Sequence, residues 1–288
     1  MRFRLRSTTF RLDERAAVMA IVNRTPDSFS DRGRGWALGA ALDLAAAHVA
    51  AGADIVDVGG VKAGPGADVG VEEERARVLP FVEAFRARWD VPLSVDTFRA
   101  AVAADALDAG ADLVNDSTGL TDPELAGVVA ARPRAALVVV HSGTPPRTRP
   151  FRTTYRPDVT TVVVNGLARL TEEARRRGVA RDRIVVDPGH DFGKNTAHSL
   201  ELTRRLPEIR ALGYPVLVAM SNKDFLGETL DLPVDERAEA SLAAAVTAVH
   251  LGAHVVRVHD TRATVRAVRT METILGRRRP AVSARGLD

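Results

Sequence analysis

The chain has 288 residues, of which 45% are hydrophobic, and a formal net charge of +3. This length suits one large barrel or two small domains, and no composition shift, low-complexity run or linker of Pro, Gly and Ser argues for two. Arginine alternates with acidic residues, as in EEERAR and TEEARRRG, which indicates solvated helix faces and not a nucleic-acid-binding patch. The lack of cysteine excludes disulfides, thiolate metal sites and cysteine nucleophiles.

The N-terminal region shows no pattern typical of secretion. Its apolar run at 16–22 is followed by Asn-Arg-Thr-Pro-Asp, whereas a signal peptide would place small residues there for cleavage. No segment reaches the length of uninterrupted apolar residues that a transmembrane helix needs. We therefore expect a cytoplasmic protein that binds neither membrane nor nucleic acid.

The secondary structure is predicted from the hydrophobic pattern. Residues 2–12 alternate weakly and predict a β-hairpin, within residues 1–13, over the amino-terminal end of the fold. Eight short β-branched runs follow, mostly continuous in hydrophobicity, as in strands buried on both faces of a parallel sheet. The predicted strands are 17–23, 54–60, 92–97, 112–116, 136–141, 183–187, 215–221 and 254–260. The predicted helices are 37–51, 72–88, 99–109, 123–131, 159–177, 197–212, 235–251 and 261–275.

Eight strand-then-helix units predict the α/β class and a closed (β/α)8 barrel, the TIM barrel. An open doubly wound sheet is the alternative, but it would more often carry a glycine-rich fingerprint after its first strand, and none is present. We expect a single domain spanning residues 1–288, with a flexible tail at 278–288.

Polar residues stand at or just after the carboxyl ends of the predicted strands, which is where TIM barrels carry their active sites. They include Asn23, Asp96, Asn115, Asp187, Lys223, Arg257 and His259. Each alone has an ordinary explanation, such as a helix cap, a satisfied core histidine or a solvated cation. Together they would be costly to bury unless they pair or bind a ligand. The set suits a planar ligand with an amidine-like edge and an anionic tail.

Seven motifs, in order along the chain, resemble those of the dihydropteroate synthase family. They are VMAIVNRTPDSFSDRG at 18–33, GADIVDVGG at 52–60, SVDT at 94–97, GADLVND at 110–116, DPGHDFGK at 187–194, SNKDFLG at 221–227 and VRVHD at 256–260. The likeness covers most of the chain, and the motifs are specific as a set although each is weak alone.

The resemblance implies a role for each polar residue at the barrel mouth. The pterin ring would be held by Asp96, Asn115, Asp187 and Lys223. The pyrophosphate of the substrate would be bound by Asn23, Arg257 and His259, and Asn23 would also ligate a Mg²⁺ ion on it. The resemblance further implies p-aminobenzoate as the amine co-substrate and a homodimer. A carboxylate matches paired ring N–H and amino donors, and cations stabilise a leaving pyrophosphate.

The sequence departs from the family pattern on the side of the second substrate. After strand two the family usually has Glu-Ser-Thr-Arg-Pro-Gly, and this chain has Val-Lys-Ala-Gly-Pro-Gly at 61–66. After strand seven, Asn222 stands where the family usually has an arginine, and His190-Asp191 replaces Ile-Gly. We assign the second-substrate side to Lys62, Ala63, Gly64, Phe192, Ser221 and Asn222. Compensating cations are available at Lys62, Arg147, Arg149 and Arg152.

This combination is similar to the second dihydropteroate synthase-like paralogue of some actinobacteria, which is regarded as lacking the synthase activity. Three functions therefore remain open. The first is a transferase that joins a pterin methylene to p-aminobenzoate or a related amine. The second is pterin-dependent methyl transfer to a corrinoid, which would leave the pyrophosphate residues without a use. The third is a pterin-binding protein without synthase activity. We place the transferase first because the pyrophosphate residues are retained.

Overall fold

The computed structural model describes residues 1–26, 35–62, 64, 66, 68–143 and 154–285. It begins with an antiparallel hairpin of β1 (Arg2–Leu5) and β2 (Thr8–Arg11). The apolar side chains of the hairpin pack against the start of the barrel strands, with Phe3 and Phe10 stacked at 6.3 Å. The hairpin thus closes the amino-terminal end of the barrel, as the sequence predicted.

Eight parallel strands form the barrel. They are β3 (Ala17–Asn23), β4 (Ile55–Gly59), β5 (Leu93–Asp96), β6 (Leu113–Asp116), β7 (Ala136–Val140), β8 (Ile184–Asp187), β9 (Leu217–Val218) and β10 (Val255–Val258). Neighbours pair in the order β8-β7-β6-β5-β4-β3-β10-β9, and a parallel bridge between Val186 and Val216 joins the two ends. The predicted (β/α)8 barrel with an N-terminal hairpin is therefore confirmed.

Ten α-helices surround these strands. They are α1 (Leu38–Ala50), α2 (Val71–Arg86), α3 (Ala100–Asp108), α4 (Leu125–Ala130), α5 (Val159–Arg176), α6 (Thr196–Arg204), α7 (Leu206–Arg210), α8 (Asp224–Leu230), α9 (Ala238–Leu251) and α10 (Thr261–Ile274) within the described part of the chain. Short 3₁₀ turns lie at Arg181–Arg183 and Val234–Glu236. No helix in these ranges is long and apolar enough to cross a membrane.

Three details differ from the sequence prediction. The helix expected at 197–212 is divided at Arg205, because Pro207 lacks an N–H and starts the second segment. The strand expected at 215–221 is reduced to Leu217–Val218. Helix α8 was not predicted at all, and it begins directly after Lys223.

The main core lies between the outer faces of the strands and the helices, where Phe81, Phe85, Leu137 and Ile184 are fully buried. The strands therefore contribute apolar side chains to both faces, which explains their continuous hydrophobicity. Their carboxyl ends are left to carry polar side chains.

Candidate active site at the carboxyl ends of the strands

The centre of the barrel mouth is an ion-pair network built on three strands. Arg257 on β10 donates from Nε to Asp57 Oδ2 at 2.6 Å and from Nη2 to Asp96 Oδ2 at 2.8 Å. Asn115 Nδ2 donates to the same Asp57 oxygen at 3.3 Å. The register of the parallel strands brings these residues together. Asp96 of β5 pairs with Asn115 of β6 on one side and with Gly59 of β4, two residues after Asp57, on the other.

The network fixes the charge of Arg257 and perturbs that of Asp96. Burial raises the pKa of Asp96 to about 7, Arg257 opposes that rise, and the nearby Asp57 adds to it. Burial would lower the pKa of Arg257, but the Asp57 and Asp96 carboxylates outweigh it and raise that pKa. Arg257 forms its ion pairs with Asp57 and Asp96, whereas the neighbouring strand-end carboxylate, Asp260, caps α10.

Asp187 and Lys223 form the opposite side of the mouth. Asp187 is 3% exposed, and its Oδ1 accepts from Gly189 N at 2.7 Å. Burial raises its pKa, whereas Lys223 lowers it. The Lys223 ammonium donates to the carbonyl of His190 and lies 4.4 Å from the centre of the Phe192 ring. Burial lowers the pKa of Lys223, opposed first by the Asp191 carboxylate.

A second lysine holds the loop that follows Asp187. Lys194 is fully buried, and its ammonium donates to the carbonyls of His141, Gly189 and Phe192, each at 2.9 Å. Burial lowers its pKa to about 7. Three carbonyl acceptors match the three N–H donors of an ammonium group, which favours the protonated form. Lys194 therefore orders the backbone beside Phe192.

The carboxylate of Asp191 lies between this loop and helix α8. Its Oδ2 accepts from Asp224 N at 2.8 Å, and its Oδ1 accepts from Ser199 Oγ at 3.4 Å. Asp191 has a φ of +65°, a left-handed conformation that Asp and Asn adopt more readily than most residues. Burial raises the pKa of Asp191, and Lys223 opposes the rise.

The turn after β9 joins the mouth to a groove outside the barrel. Ser221 Oγ lies 3.0 Å from His259 Nδ1, and burial, followed by the charge of Arg257, lowers the pKa of His259 to about 3. Asn222 has a φ of +60°, and its Oδ1 accepts from Ser241 Oγ at 3.1 Å. These three residues line a groove of about 990 Å³ that also includes Asp260. The left-handed turn gives a local reason for asparagine at 222.

The remaining predicted site residues lie around the same mouth or outside the described chain. Asn23 ends β3 and pairs in register with Gly59 of β4, the strand that carries Asp57. Lys62 and Gly64 follow β4 and are partly exposed. A Cβ atom added at Gly64 would meet no atom within 4 Å. Outside the described residues lie Ala63, Arg147, Arg149 and Arg152.

Two residues of the site were not singled out from the sequence. Asp57 is fully buried, and its Oδ1 has no hydrogen-bond partner within the described ranges. Its signal was a charged residue inside an otherwise apolar strand, IVDVG. Asp191 was seen only as a departure from the family pattern, and its contact with helix α8 depends on a helix that was not predicted.

Comparison with known proteins identifies the family. The model of the pterin binding enzyme family matches residues 19–259, which include every described polar residue of the mouth from Asn23 to His259. The chain belongs to this family. The resemblance inferred from the seven motifs is thereby confirmed.

Its relatives within the pterin binding enzyme family carry two kinds of name. A Mycobacterium leprae protein named inactive dihydropteroate synthase 2 is 49% identical over 279 residues, which cover 95% of this chain and 96% of that protein. The Yersinia pestis dihydropteroate synthase in a sulfonamide drug complex has a TM-score of 0.91 and 37% identity, covering 96% of this chain and 100% of that one. The Xanthomonas albilineans dihydropteroate synthase with 4-aminobenzoic acid has a TM-score of 0.86 and 36% identity, covering 98% of this chain and 99% of that one.

Proposed function

We propose that the chain is a dihydropteroate synthase-type transferase. It would join the methylene carbon of a 7,8-dihydropterin pyrophosphate to the nitrogen of an amine, in a folate-type pathway. The observation that carries this proposal is one mouth that combines the Asp57–Arg257–Asp96 network with Asp187 and Lys223, in a member of the pterin binding enzyme family.

The pterin ring would lie between the two sides of the mouth. Asp96 and Asp187 supply the carboxylates for the ring N–H and 2-amino donors, and Asn115 and Lys223 supply donors for the ring nitrogen and oxygen acceptors. Asp187 is buried and the Asp96 side chain is only 13% exposed, so their hydrogen bonds to a ligand would form in a site of low dielectric. This is the physical reason for expecting tight binding of a neutral heterocycle there.

The pyrophosphate would be bound by Asn23, Arg257 and His259. Arg257 uses Nε and Nη2 for Asp57 and Asp96, which leaves Nη1 to meet an anion. Within the described ranges, no group of three His, Asp or Glu side chains could hold a metal ion. Mg²⁺ on substrate phosphates needs only one or two protein ligands, so the amide oxygen of Asn23 fits that arrangement. When bound, Mg²⁺ would neutralise charge on the leaving group.

In the reaction, the C–O bond between the methylene carbon and pyrophosphate breaks, and the electron pair leaves on pyrophosphate. The amine nitrogen then forms the new C–N bond to the methylene carbon and releases a proton to solvent. Arg257 and neutral His259 would stabilise the leaving anion by donating hydrogen bonds. The carboxylates of Asp96 and Asp187 would hold the electron-poor pterin in place.

A second candidate function is supported by the departures around the amine. A pterin-binding paralogue without dihydropteroate synthase activity would keep Asp96, Asn115, Asp187 and Lys223. It would tolerate Gly64 and Asn222, where the family usually has arginine. The 49% identity to the Mycobacterium leprae protein named inactive dihydropteroate synthase 2 favours this candidate.

A steady-state assay with p-aminobenzoate and the dihydropterin pyrophosphate separates the two candidates. A kcat/KM of roughly 10⁴ M⁻¹s⁻¹ or more, which is ordinary for enzymes, would identify a working dihydropteroate synthase. Tight binding of the pterin pyrophosphate without turnover would support the second candidate. No binding with or without Mg²⁺ would refute both, and complementation of a strain lacking dihydropteroate synthase would test the activity in cells.

We also infer from the family resemblance that the protein is a homodimer, and from its composition that it is cytoplasmic. The chain is further proposed to be a single folding domain, and the tail predicted at 278–288 lies partly outside the described residues, which end at 285. Analytical ultracentrifugation would test the dimer, and one cooperative transition in denaturant would support the single domain.

A further inference from the structure

The turn that carries Lys223 is held by a carboxylate from another part of the chain. Helix α8 begins at Asp224, directly after Lys223, and Lys223 makes no side-chain cap to it. The N–H of Asp224 instead donates to Asp191 Oδ2 at 2.8 Å, across 33 positions in the sequence. The first N–H groups of a helix have no partner within the helix, so a side-chain acceptor there fixes where the helix starts. Asp191 therefore sets the position of the backbone next to Lys223.

The side chain of Asp191 is itself fixed in direction. Its Oδ1 accepts from Ser199 Oγ at 3.4 Å, and its N–H donates to the same hydroxyl at 3.3 Å. Ser199 is fully buried in α6. The preceding residue, His190, is also fully buried, and its Nε2 lies 3.1 Å from Thr203 Oγ1 while its ring stacks on Phe225 at 5.7 Å. His190 and Asp191 thus join α6 to the first turn of α8.

The same segment contacts the far end of Lys223. The ammonium group donates to the carbonyl of His190 and lies 4.4 Å from the centre of the Phe192 ring. Residues 190–192 therefore hold Lys223 at both ends, through its ammonium group and, by way of Asp191, through the peptide that follows it. Loss of the Asp191 contact would release the backbone end, and the lysine would no longer have a single fixed orientation.

We propose that Asp191 is a positioning residue of the pterin site, which fixes Lys223 in the orientation that meets the pterin ring. The inference rests on the proposed role of Lys223 in pterin binding. Asp191 acts through a hydrogen bond to the backbone, because its two oxygens are turned to Asp224 and Ser199. Where the family usually has glycine, this chain has a side chain that joins the loop after β8 to α8.

Two substitutions at 191 separate the hydrogen bond from the backbone conformation. Asp191→Gly removes the acceptor and adopts the φ of +65° without strain, whereas Asp191→Asn keeps an acceptor oxygen and tolerates the same conformation. In isothermal titration calorimetry with hydroxymethyl-dihydropterin, Asp191→Gly should bind about fivefold to tenfold more weakly than the wild type, and Asp191→Asn within about twofold of it. An Asn variant as weak as the Gly variant would overturn the inference, because the charge of Asp191 and not its hydrogen bond would then control the affinity.

Asp231 provides the matched control. It is exposed at the other end of α8 and has a φ of +55°. Asp231→Gly therefore makes the same chemical change in an equivalent conformation on the same helix, and it should leave the affinity unchanged. An equal loss in both glycine variants would count against the inference, since any weakening of α8 would then have the same effect.

The dependence on Lys223 is tested by repeating Asp191→Gly in a Lys223→Met background. Without the ammonium group there is nothing left to position, so the second substitution should weaken binding by less than about twofold. The same loss in this background as in the wild type would show that Asp191 acts on the pterin site independently of Lys223, and would refute its positioning role.

Failure of the pterin assignment gives a different pattern. If the wild type binds no hydroxymethyl-dihydropterin, hydrogen exchange of the Asp224 amide, followed by NMR without ligand, still tests the role of Asp191. Faster exchange in Asp191→Gly, but not in Asp191→Asn or Asp231→Gly, would uphold Asp191 as the residue that fixes the Lys223 turn. Equal exchange in the wild type and all three variants would exclude that role.

Discussion

Replacing Asp57 with asparagine tests the electrostatics of the barrel mouth. Asp57 and Asp96 accept from two nitrogens of one guanidinium, so their charges lie on the order of 6 Å apart and repel by ~3 kcal/mol at an effective dielectric constant of about 20. Asparagine keeps an acceptor oxygen for Arg257 and removes this repulsion. The pKa of Asp96, about 7 in the native protein, should therefore fall.

The observable is the affinity for hydroxymethyl-dihydropterin as a function of pH. Ionised Asp96 accepts from the ring, so wild-type affinity should be lost as the pH falls through about 7. In Asp57→Asn the midpoint should lie about one to two pH units lower, because 1.36 kcal/mol corresponds to about one pKa unit. At pH 6 the variant should thus bind the pterin up to about tenfold more tightly than the wild type.

Isothermal titration calorimetry between pH 5.5 and 8.5 measures the affinity for hydroxymethyl-dihydropterin, at roughly half-unit pH steps around the expected midpoint. Asp112→Asn is the matched control, since Asp112 is a buried carboxylate paired with Arg86 at 2.8 Å at the other end of the barrel. Its midpoint should equal that of the wild type. An unchanged midpoint in Asp57→Asn would show that Asp57 does not control the charge of Asp96, or that Asp96 does not bind the pterin.

Three further outcomes are expected. Lys194→Met leaves three buried carbonyls without their donor and should lower the free energy of unfolding in urea by about 3 kcal/mol or more, whereas the partly exposed Lys62→Met should change it by less than about 0.5 kcal/mol. His254 accepts a hydrogen bond from Val216 N, and burial lowers its pKa from 6.5 to about 4. Its contribution to the free energy of unfolding is therefore present above pH 6.5 and lost as the pH falls through 4. His254→Gln should make the free energy of unfolding, measured by denaturant titration, less dependent on pH in this range. Asn23→Ala should abolish the Mg²⁺-dependent part of pterin pyrophosphate affinity and spare hydroxymethyl-dihydropterin, and a retained Mg²⁺ effect would exclude Asn23 as the ligand.

The fold could be predicted because each barrel strand is apolar on both faces. The hydrophobic pattern was insufficient where tertiary contacts decide the length or the type of an element. The run at 215–221 is as β-branched as its neighbours, but only Leu217–Val218 pairs with β10. Helix α8 has seven residues and contains Gly227, so neither its length nor its composition distinguishes it from a loop.

The position of the site could be predicted, but its internal pairing could not. Strand ends converge by topology, so Asp96, Asn115 and Arg257 were expected at one mouth. The sequence does not show how close β4 and β10 lie, and the hydrogen bond from Arg257 to Asp57 joins residues 200 positions apart in the chain. Arg257, which the sequence assigns to the substrate pyrophosphate, has two protein carboxylates, Asp57 and Asp96, as its hydrogen-bond partners in the structure.

The closure of the barrel gives the mouth two walls of unequal stiffness. Strands β3, β4, β5 and β10 pair over four or five residues each, and they carry the network of Asp57 and Arg257. The opposite join, from β8 to the two-residue β9, depends on the bridge of Val186 with Val216. Segments held by few backbone hydrogen bonds open at the lowest free energy. The barrel should therefore open first at the junction of β8 and β9. This opening would vary the spacing between Asp187 and Lys223, while the strands that carry Asp57, Asp96 and Arg257 keep their arrangement.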